Sequence, residues 1–270
     1  MFIEMTLPEA SKPGRSGVFL TEEICWPLPP GGRFSASAGT HVWAIPLDVT
    51  ACELAELQAG LAPAERERAA RFHFPRDRYR FVAGRGALRH ILGRYLQTDP
   101  SKLEFVYGPH GKPALAPTAE DSGLQFNLAH SDGLALVAVT RSGKIGVDLE
   151  RVRALKDAEG LVTRFFCPRE IAIFQALPED QKPAAFFNLW TRKEAWLKAI
   201  GEGIGHSLNR VEVSFLPGEP ARLLALPEGP HAAARWNLFD LAPAPGFAAA
   251  LAISGADTRL HCWRWPETCE

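Results

Sequence analysis

Residues 143–150 read Gly-Lys-Ile-Gly-Val-Asp-Leu-Glu, and both the strand pattern and the chemistry of this chain can be worked out from there. The run just before it, Leu134–Thr140, is short, apolar and rich in branched residues, which predicts a buried strand. A turn with serine and glycine then leads into a second strand. Because side chains alternate on a strand, Asp148 and Glu150 face one side and the apolar residues beside them face the other.

Paired carboxylates at a strand end have two explanations. Mg²⁺ prefers hard oxygen ligands, so Asp148 and Glu150 together suit a divalent metal. For an isolated Asp-x-Glu sequence, however, a polar strand end that faces water is the commoner case. Both explanations stay open on this stretch alone.

The composition is that of an ordinary globular chain, long enough for one large domain or two small ones. Of its 270 residues, 46% are hydrophobic and 23% are charged, and the formal net charge is −1. This balance gives no global attraction to nucleic acid or to an anionic membrane, although a local basic patch could still bind phosphates. No apolar run is long enough to span a membrane.

Cysteine usage and the N-terminus bear on the compartment. Five cysteines are scattered without a Cys-x-x-Cys pair, which predicts reduced thiols rather than a disulfide framework or a zinc site. The N-terminus lacks a basic region followed by a long apolar one, so no signal peptide is evident. We therefore expect a cytoplasmic protein.

An arginine-rich segment, Pro63–Leu96, is predicted to form two helices separated at Pro75. Its nine arginines have two explanations: a solvated helix face paired with acidic neighbours four residues away, or a patch that faces phosphates. The acids Glu65, Glu67 and Asp77 are too few to match all of them, so the phosphate-facing patch stays open.

The clearest predicted helix is Pro183–Ile200, with proline in its first turn and Gly201 just beyond its end. Trp190, Glu194 and Lys198 follow one another at intervals of four residues and therefore share one face. Taken alone, Glu194 and Lys198 would be explained as a surface ion pair.

The order of the predicted elements divides the chain into three parts. Residues 1–40 hold few periodic apolar positions and several prolines and glycines, which predicts an extended lead-in. A pattern of helices and then strands occurs twice afterwards, over 41–145 and over 146–270. We therefore predict an α+β fold of two similar halves, related by a pseudo-twofold, with the active site between them.

Four short motifs stand in order along the chain and carry a family resemblance. They are Gly111-Lys112-Pro113-Ala114, Phe126-Asn127-Leu128-Ala129-His130-Ser131, Gly146-Val147-Asp148-Leu149-Glu150 and Phe187-x-x-Trp190-x-x-Lys193-Glu194-Ala195-x-x-Lys198. Each motif is weak alone, but four in this order are specific. Over about residues 41–255 the sequence resembles the Sfp-type 4′-phosphopantetheinyl transferases.

The resemblance implies an enzyme that transfers the 4′-phosphopantetheine group of coenzyme A to a serine hydroxyl of an apo carrier protein. The carrier would be an acyl, peptidyl or polyketide carrier, and the sequence does not select among them. Such enzymes depend on Mg²⁺ and release adenosine 3′,5′-bisphosphate. The expected partners are coenzyme A and the carrier, with no nucleic acid and no membrane, and the family's two fused halves imply a monomer.

The resemblance also implies roles for single residues. Asp148, Glu150 and Glu194 are similar to the family's Mg²⁺ ligands, and Glu194 also to the group that accepts the serine proton. Lys198 is similar to the lysine that contacts the phosphate under attack. The first half contributes the residues similar to those that bind the nucleotide and its phosphates, namely Arg68, Lys112, Pro113, Asn127, Ala129 and His130. Serine is commoner in the family at position 129, so one hydroxyl contact is expected to be missing.

Two alternatives belong to other classes. A metal-dependent nuclease would use Asp148 with Glu194 and lysines, but such sites place the Glu and the Lys on a strand, and a net charge of −1 attracts DNA poorly. A non-catalytic protein that binds coenzyme A or a carrier would not need all three carboxylates and the lysine. A metal-dependent transfer assay separates these alternatives from the transferase.

Overall fold

A computed structural model describes residues 26–30, 34, 39–117, 123–202, 208–229, 231–256 and 259–266 of the chain. Most of the predicted lead-in over 1–40 lies outside these residues. Its described part packs on the protein, since Phe34 is buried against Trp43 and the carbonyl of Pro27 accepts a hydrogen bond from the amide of Arg264. Among the described helices, none combines the length and the apolar character that a bilayer crossing needs.

The first part of the chain contributes three helices and five strands. Its elements are β1 (Thr40–Pro46), α1 (Ala51–Ala59), α2 (Pro63–Ala70), α3 (Pro75–Leu96), β2 (Phe105–Tyr107), β3 (Pro113–Leu115), β4 (Gln125–Ser131) and β5 (Leu134–Thr140). These bounds confirm the predicted break at Pro75. Strand β4 continues to Ser131 and so contains the whole motif Phe126–Ser131.

The second part begins at the strand that carries the paired carboxylates. Its elements are β6 (Ile145–Arg151), α4 (Ala158–Phe165), α5 (Pro168–Gln175), α6 (Lys182–Ile200), β7 (Glu212–Val213), β8 (Leu223–Ala225), β9 (Trp236–Leu241), β10 (Phe247–Ser254) and β11 (Leu260–Arg264). Helices and sheets within the described residues confirm the predicted α+β class. The pseudo-twofold between two halves stays a prediction.

Local sequence sets the ends of the helices. The hydroxyl of Thr50 accepts a hydrogen bond from the amide of Glu53, whose carboxylate accepts one from the amide of Thr50 at 2.9 Å, and this capping box starts α1. Proline occupies the first turn of α2, α3, α5 and α6, where its missing N–H costs nothing. Helix α6 ends at Ile200, and the Gly201 that follows has a left-handed φ of 81°, which favours glycine.

Two sheets form the centre of the molecule. The first has the order β11-β1-β5-β4 and the second the order β6-β10-β9. Strand β11 pairs in parallel with β1, although it comes from the part of the chain that the sequence pattern assigns to the second half. The last strand therefore returns to the first sheet, and the division at residues 145 and 146 does not separate the two sheets completely.

Alternating side chains sort the residues of both sheets into apolar layers. On β5, Val137 packs beneath α1 and α3, whereas its neighbour Leu136 faces the second sheet. Val147 and Leu149 of β6 belong to the same layer between the sheets. The opposite face of the second sheet packs on α4, α5 and α6. Because its parity is opposite to that of Val147 and Leu149, Asp148 faces this helical layer.

Helix α6 and strand β6 approach each other most closely at Gly146. A Cβ atom built there would lie 2.1 Å from the carbonyl oxygen of Ala195 and 2.3 Å from the amide nitrogen of Ala199. Only glycine therefore lets the strand lie directly on the helix backbone. This contact brings the strand that carries Asp148 against the helix that carries Glu194.

The cysteines follow the predicted thiol state only in part. Cys167 and Cys262 are free, and burial raises the pKa of Cys262 to about 12. Cys52 is disulfide-bonded, so the prediction of a reduced thiol is wrong for this residue. Scattered positions in the sequence do not report distances in the fold, which is why spacing alone missed the bond.

We predict that Gly146→Ala lowers the free energy of unfolding by about 3 kcal/mol or more, because the methyl group fits only if the backbone of α6 moves. Denaturant unfolding followed by circular dichroism measures the change. The matched control is Gly84→Ala in α3, where the new methyl meets the flexible side chain of Leu47 at 3.2 Å. That control should change the free energy by less than about 1 kcal/mol. Equal losses would contradict the proposed importance of the close approach.

Candidate active site

Where β6 packs on α6, three carboxylates and one ammonium group lie within electrostatic range of one another. The Nζ atom of Lys198 donates to Oδ1 of Asp148 over 2.5 Å and so joins the two elements. Asp148 is 4% exposed and Glu194 is 3% exposed. The charge of Glu150, two residues further along the same strand, helps to raise the pKa of both. The structure thus brings together the four residues that the resemblance links to metal binding and chemistry.

Burial has the largest influence on the protonation of this cluster. It raises the pKa of Asp148 to about 6, although the neighbouring charge of Lys198 lowers that value. It also raises the pKa of Glu194 to about 7, and the charge of Asp148 adds to the increase. Burial thus disfavours the charged form of both carboxylates, and Lys198 opposes this effect at each of them.

Two oxygen atoms of the cluster fit a divalent cation. Within the described residues, Oδ2 of Asp148 and Oε1 of Glu194 are buried and have no hydrogen-bond partner, which is unusual for buried polar atoms. Hard carboxylate oxygens are the ligands that Mg²⁺ prefers, and a double positive charge would balance the two negative charges that three carboxylates and one ammonium leave. In the part of the chain that the structure describes, however, no three acidic, histidine or cysteine side chains are already gathered as a metal-ligand group.

Side chains of β4 bond to β6 where the edges of the two sheets meet. The Oδ1 atom of Asn127 accepts a hydrogen bond from the amide of Val147 at 2.8 Å. The Oγ atom of Ser131 accepts one from the amide of Arg151 at 3.1 Å and donates to Oε2 of Glu150 at 2.9 Å. These side-chain bonds connect the two sheet edges and hold the carboxylate of Glu150 in place.

Two features of β4 were not predicted from the sequence: the hydrogen bond between Asn127 and β6, and the contact that Ser131 makes with Glu150. The amide oxygen of Asn127, which the resemblance links to the nucleotide, is buried and bonds to the protein itself. Ser131 has no role in the sequence-based assignment, although it stands in the same motif. Its position four residues after Asn127 gives both side chains the same strand parity, and this signal could have indicated a shared contact with β6.

Lys112 also bonds to the protein rather than projecting freely. Its Nζ atom donates to the carbonyl oxygens of Ile145 at 2.9 Å, Lys198 at 2.6 Å and Ala199 at 3.2 Å. An ammonium group has three hydrogens, so all of them are used. Burial, together with the charge of Lys144, lowers the pKa of Lys112 to about 8.

Three other motif residues are linked to the nucleotide by the resemblance, namely His130, Ala129 and Pro113, and their environments differ. Partial desolvation and the charge of Lys198 lower the pKa of His130, and the charge of Glu150 opposes them, so the imidazole lies within the electrostatic range of Lys198 and Glu150. Ala129 is buried in the apolar layer between the sheets, where a serine would have to bury its hydroxyl. Pro113 is half-buried and begins β3.

Several arginines of the basic segment serve the fold. Arg85 and Arg89 are buried, and both bond to the carboxylate of Glu65, which lies 20 and 24 residues away in the sequence. Arg80 bonds to Asp132 at 3.1 Å and so ties the start of α3 to the turn that follows β4. The nine arginines are therefore neither one solvated face nor one phosphate-facing patch.

Four further arginines are exposed near the junction of α2 and α3, namely Arg68, Arg71, Arg76 and Arg78. The guanidinium of Arg68 lies over the ring of Phe81, 5.1 Å from its centre. Arg80, in the first part of α3, bonds to Asp132, two residues after His130. The phosphate-facing patch stays a prediction, now for these four exposed arginines.

Comparisons with known proteins agree with the motifs. A family profile described as 4′-phosphopantetheinyl transferase, N-terminal, matches residues 48–142, and one described as 4′-phosphopantetheinyl transferase superfamily matches residues 144–252. The 4′-phosphopantetheinyl transferase HetI of Nostoc sp. is 43% identical over 240 residues, which cover 89% of this chain and 98% of that protein. The 4′-phosphopantetheinyl transferase AcpT of Escherichia coli is 39% identical over 145 residues, or 53% of this chain and 67% of that protein. The transferase Sfp of Bacillus subtilis is 29% identical over 153 residues, or 57% and 66%.

The extent of these matches decides the class of the protein. The first relative is matched over nearly its whole length, and the two profiles together cover α1–α3, β4, β5, β6, β9 and the long helix α6. The chain therefore belongs to the 4′-phosphopantetheinyl transferase family and is an enzyme of the transferase class. The two profiles meet at the turn before β6, next to the strand on which the carboxylates lie.

We predict that Asn127→Ala lowers the free energy of unfolding by about 1–3 kcal/mol, because the buried amide of Val147 loses its acceptor. Denaturant unfolding measures the loss. Gln125→Ala, at an exposed position of the same strand, is the control and should change the free energy by less than about 0.5 kcal/mol. If both variants were equally stable, the bond between the sheet edges would contribute nothing.

Proposed function

We propose that this protein transfers the 4′-phosphopantetheine group of coenzyme A to a serine hydroxyl of an apo carrier protein and releases adenosine 3′,5′-bisphosphate. The observation that carries the proposal is the pair of buried carboxylates Asp148 and Glu194, with the half-buried Glu150 nearby and the ammonium of Lys198 bonded to Asp148. Relatives named as 4′-phosphopantetheinyl transferases support the reaction class. The acceptor group on the carrier is a serine hydroxyl, and the sequence does not select among the carriers that present one.

We propose further that Asp148, Glu150 and Glu194 hold Mg²⁺. The unpartnered oxygens of Asp148 and Glu194 support this assignment, as does the excess of carboxylates over ammonium groups. Glu150 is held at the same strand face by Ser131. When bound, Mg²⁺ would neutralise charge on the pyrophosphate of coenzyme A and polarise the phosphorus under attack.

In the proposed reaction, Glu194 accepts the proton of the attacking serine hydroxyl. Glu194 lies one helical turn before Lys198, so the base and the ammonium group are on the same face of α6. The serine oxygen forms a bond to the phosphorus that carries the pantetheine, while the bond from that phosphorus to the bridging oxygen of the pyrophosphate breaks. The bridging oxygen leaves with adenosine 3′,5′-bisphosphate.

Lys198 has a second part in this proposal. Its side chain is 30% exposed, so its ammonium can donate to a phosphate oxygen while it also bonds to Asp148. Transfer of this kind depends mainly on charge neutralisation and on the alignment of the reacting groups. A lysine held by a buried carboxylate supplies both, because its charge is fixed at one place.

The nucleotide is proposed to bind on the side of α2, α3 and β4. Arg68 is the candidate for the 3′-phosphate and His130 for a phosphate nearer the cluster, and the backbones at Pro113 and Ala129 complete the set. The exposed arginines near Arg68 support this side, because planar guanidinium groups match phosphate oxygens well.

We predict that Glu194→Gln and Asp148→Ala each lower kcat by at least about 10²-fold, because the first removes a base and the second a buried negative charge. The rate is measured by the intact mass of a purified apo carrier incubated with coenzyme A and Mg²⁺. Coenzyme A affinity without Mg²⁺ should change far less. Glu179→Gln, an exposed carboxylate before α6, is the control and should keep the wild-type rate. Wild-type turnover by Glu194→Gln would remove α6 from the chemistry.

We predict that Arg68→Ala weakens the binding of coenzyme A by about 10-fold, because a charged hydrogen bond to the 3′-phosphate is lost. Dephospho-coenzyme A lacks that phosphate, so its affinity should change less than about twofold. Isothermal titration calorimetry measures both. Arg78→Ala removes the same charge from the same exposed group and serves as the control for a diffuse electrostatic effect. Equal losses for the two ligands in Arg68→Ala would exclude the assigned contact.

A further inference from the structure

The end of helix α6 is held by a side chain from another part of the chain. An α-helix leaves its last four carbonyl groups without partners inside the helix. The carbonyl of Leu197 accepts a hydrogen bond from the amide of Gly201 at 2.9 Å. The next two, of Lys198 and Ala199, accept from the ammonium of Lys112 at 2.6 and 3.2 Å. A positive charge at a helix C-terminus is also favoured by the helix dipole.

The same ammonium group binds strand β6. Its third hydrogen bond, at 2.9 Å, goes to the carbonyl of Ile145, the first residue of that strand. Lys112 therefore ties the last turn of α6 to the start of β6, next to the close approach at Gly146. Lys198 is consequently held twice: its carbonyl by Lys112, and its side chain by Asp148.

The loop between β2 and β3 presents Lys112 in the required position. The amide of Gly108 donates to the carbonyl of Lys112, and the amide of Gly111 donates to the carbonyl of Gly108, each at 2.9 Å. Gly111 has a φ of 78°, which favours glycine, and Pro113 restricts the backbone that follows. A tight turn thus aims the lysine across to the second part of the chain.

From this geometry we propose that Lys112 is a positioning residue, which orients Lys198 toward Asp148 by fixing the end of α6 on β6. The proposal rests on the proposed function of Lys198 and deepens it. It assigns Lys112 a role that differs from binding a nucleotide phosphate, because a phosphate would have to replace carbonyl partners that already occupy all three hydrogens.

Two substitutions distinguish a positioning role from a phosphate-binding role. Lys112→Met keeps most of the aliphatic chain and removes the ammonium. Lys112→Arg keeps a positive charge that a phosphate would accept, but its planar guanidinium cannot converge on three carbonyls around one nitrogen. Lys144→Met is the matched control, since Lys144 is exposed and its charge acts on Lys112.

The experiment measures three quantities for each variant of the full chain. These are kcat for transfer to an apo carrier, the Kd for coenzyme A by calorimetry, and hydrogen exchange of the amides at residues 197–200. A positioning role predicts that both Lys112 variants lower kcat by about 10-fold or more, since small displacements of aligned groups are costly. The Kd should stay within about twofold, and exchange at the end of α6 should become about 10-fold faster or more. The control should match the wild type in all three.

Two results would overturn the proposal. The first is a weaker Kd in Lys112→Met that Lys112→Arg restores, with kcat at saturating coenzyme A unchanged, since a phosphate contact behaves in this way. The second is wild-type hydrogen exchange at the end of α6 in both variants. Failure of the proposed function is a separate outcome, in which the wild type itself transfers nothing. Hydrogen exchange then still decides whether Lys112 fixes the helix.

Discussion

The missing side chain at Gly146 is the constraint on which the site depends. A Cβ atom there would overlap the backbone of α6, so strand and helix can touch only because the residue is glycine. Their contact places the ammonium of Lys198 2.5 Å from the carboxylate of Asp148 and buries Glu194 beside them. A side chain at this position would separate β6 from α6 and expose the charged groups to solvent. The charge pattern is therefore a consequence of backbone packing.

The four motifs contribute to this packing as well as to chemistry. Asn127 and Ser131 join the edge of the first sheet to the edge of the second through hydrogen bonds to β6. Lys112 joins the loop before β3 to the end of α6. Motifs that resemble sets of ligands thus also serve as joints between the two parts of the chain. Polar groups buried at such joints must be hydrogen-bonded, which limits how far each part can move.

Features that rest on local periodicity could be predicted from the sequence. Helix α6 begins near Pro183 and ends just before Gly201 as its cap residues indicate, and the alternation that places Asp148 opposite Val147 is confirmed by the layers. The contact of Lys112 with Lys198 spans 86 residues, and no local pattern reports it. The buried arginines were likewise unpredictable, because their partner Glu65 lies on another helix.

Locating the cation tests the central claim, that Asp148, Glu150 and Glu194 form one metal site between β6 and α6. Crystals of the protein with coenzyme A and Mn²⁺ would give an anomalous difference map in which manganese alone produces a strong peak. A shared site predicts a peak in contact with these carboxylates, and the loss of that peak in Asp148→Ala crystals grown in the same way. A peak bound elsewhere, or one that persists unchanged in Asp148→Ala, would exclude the shared site.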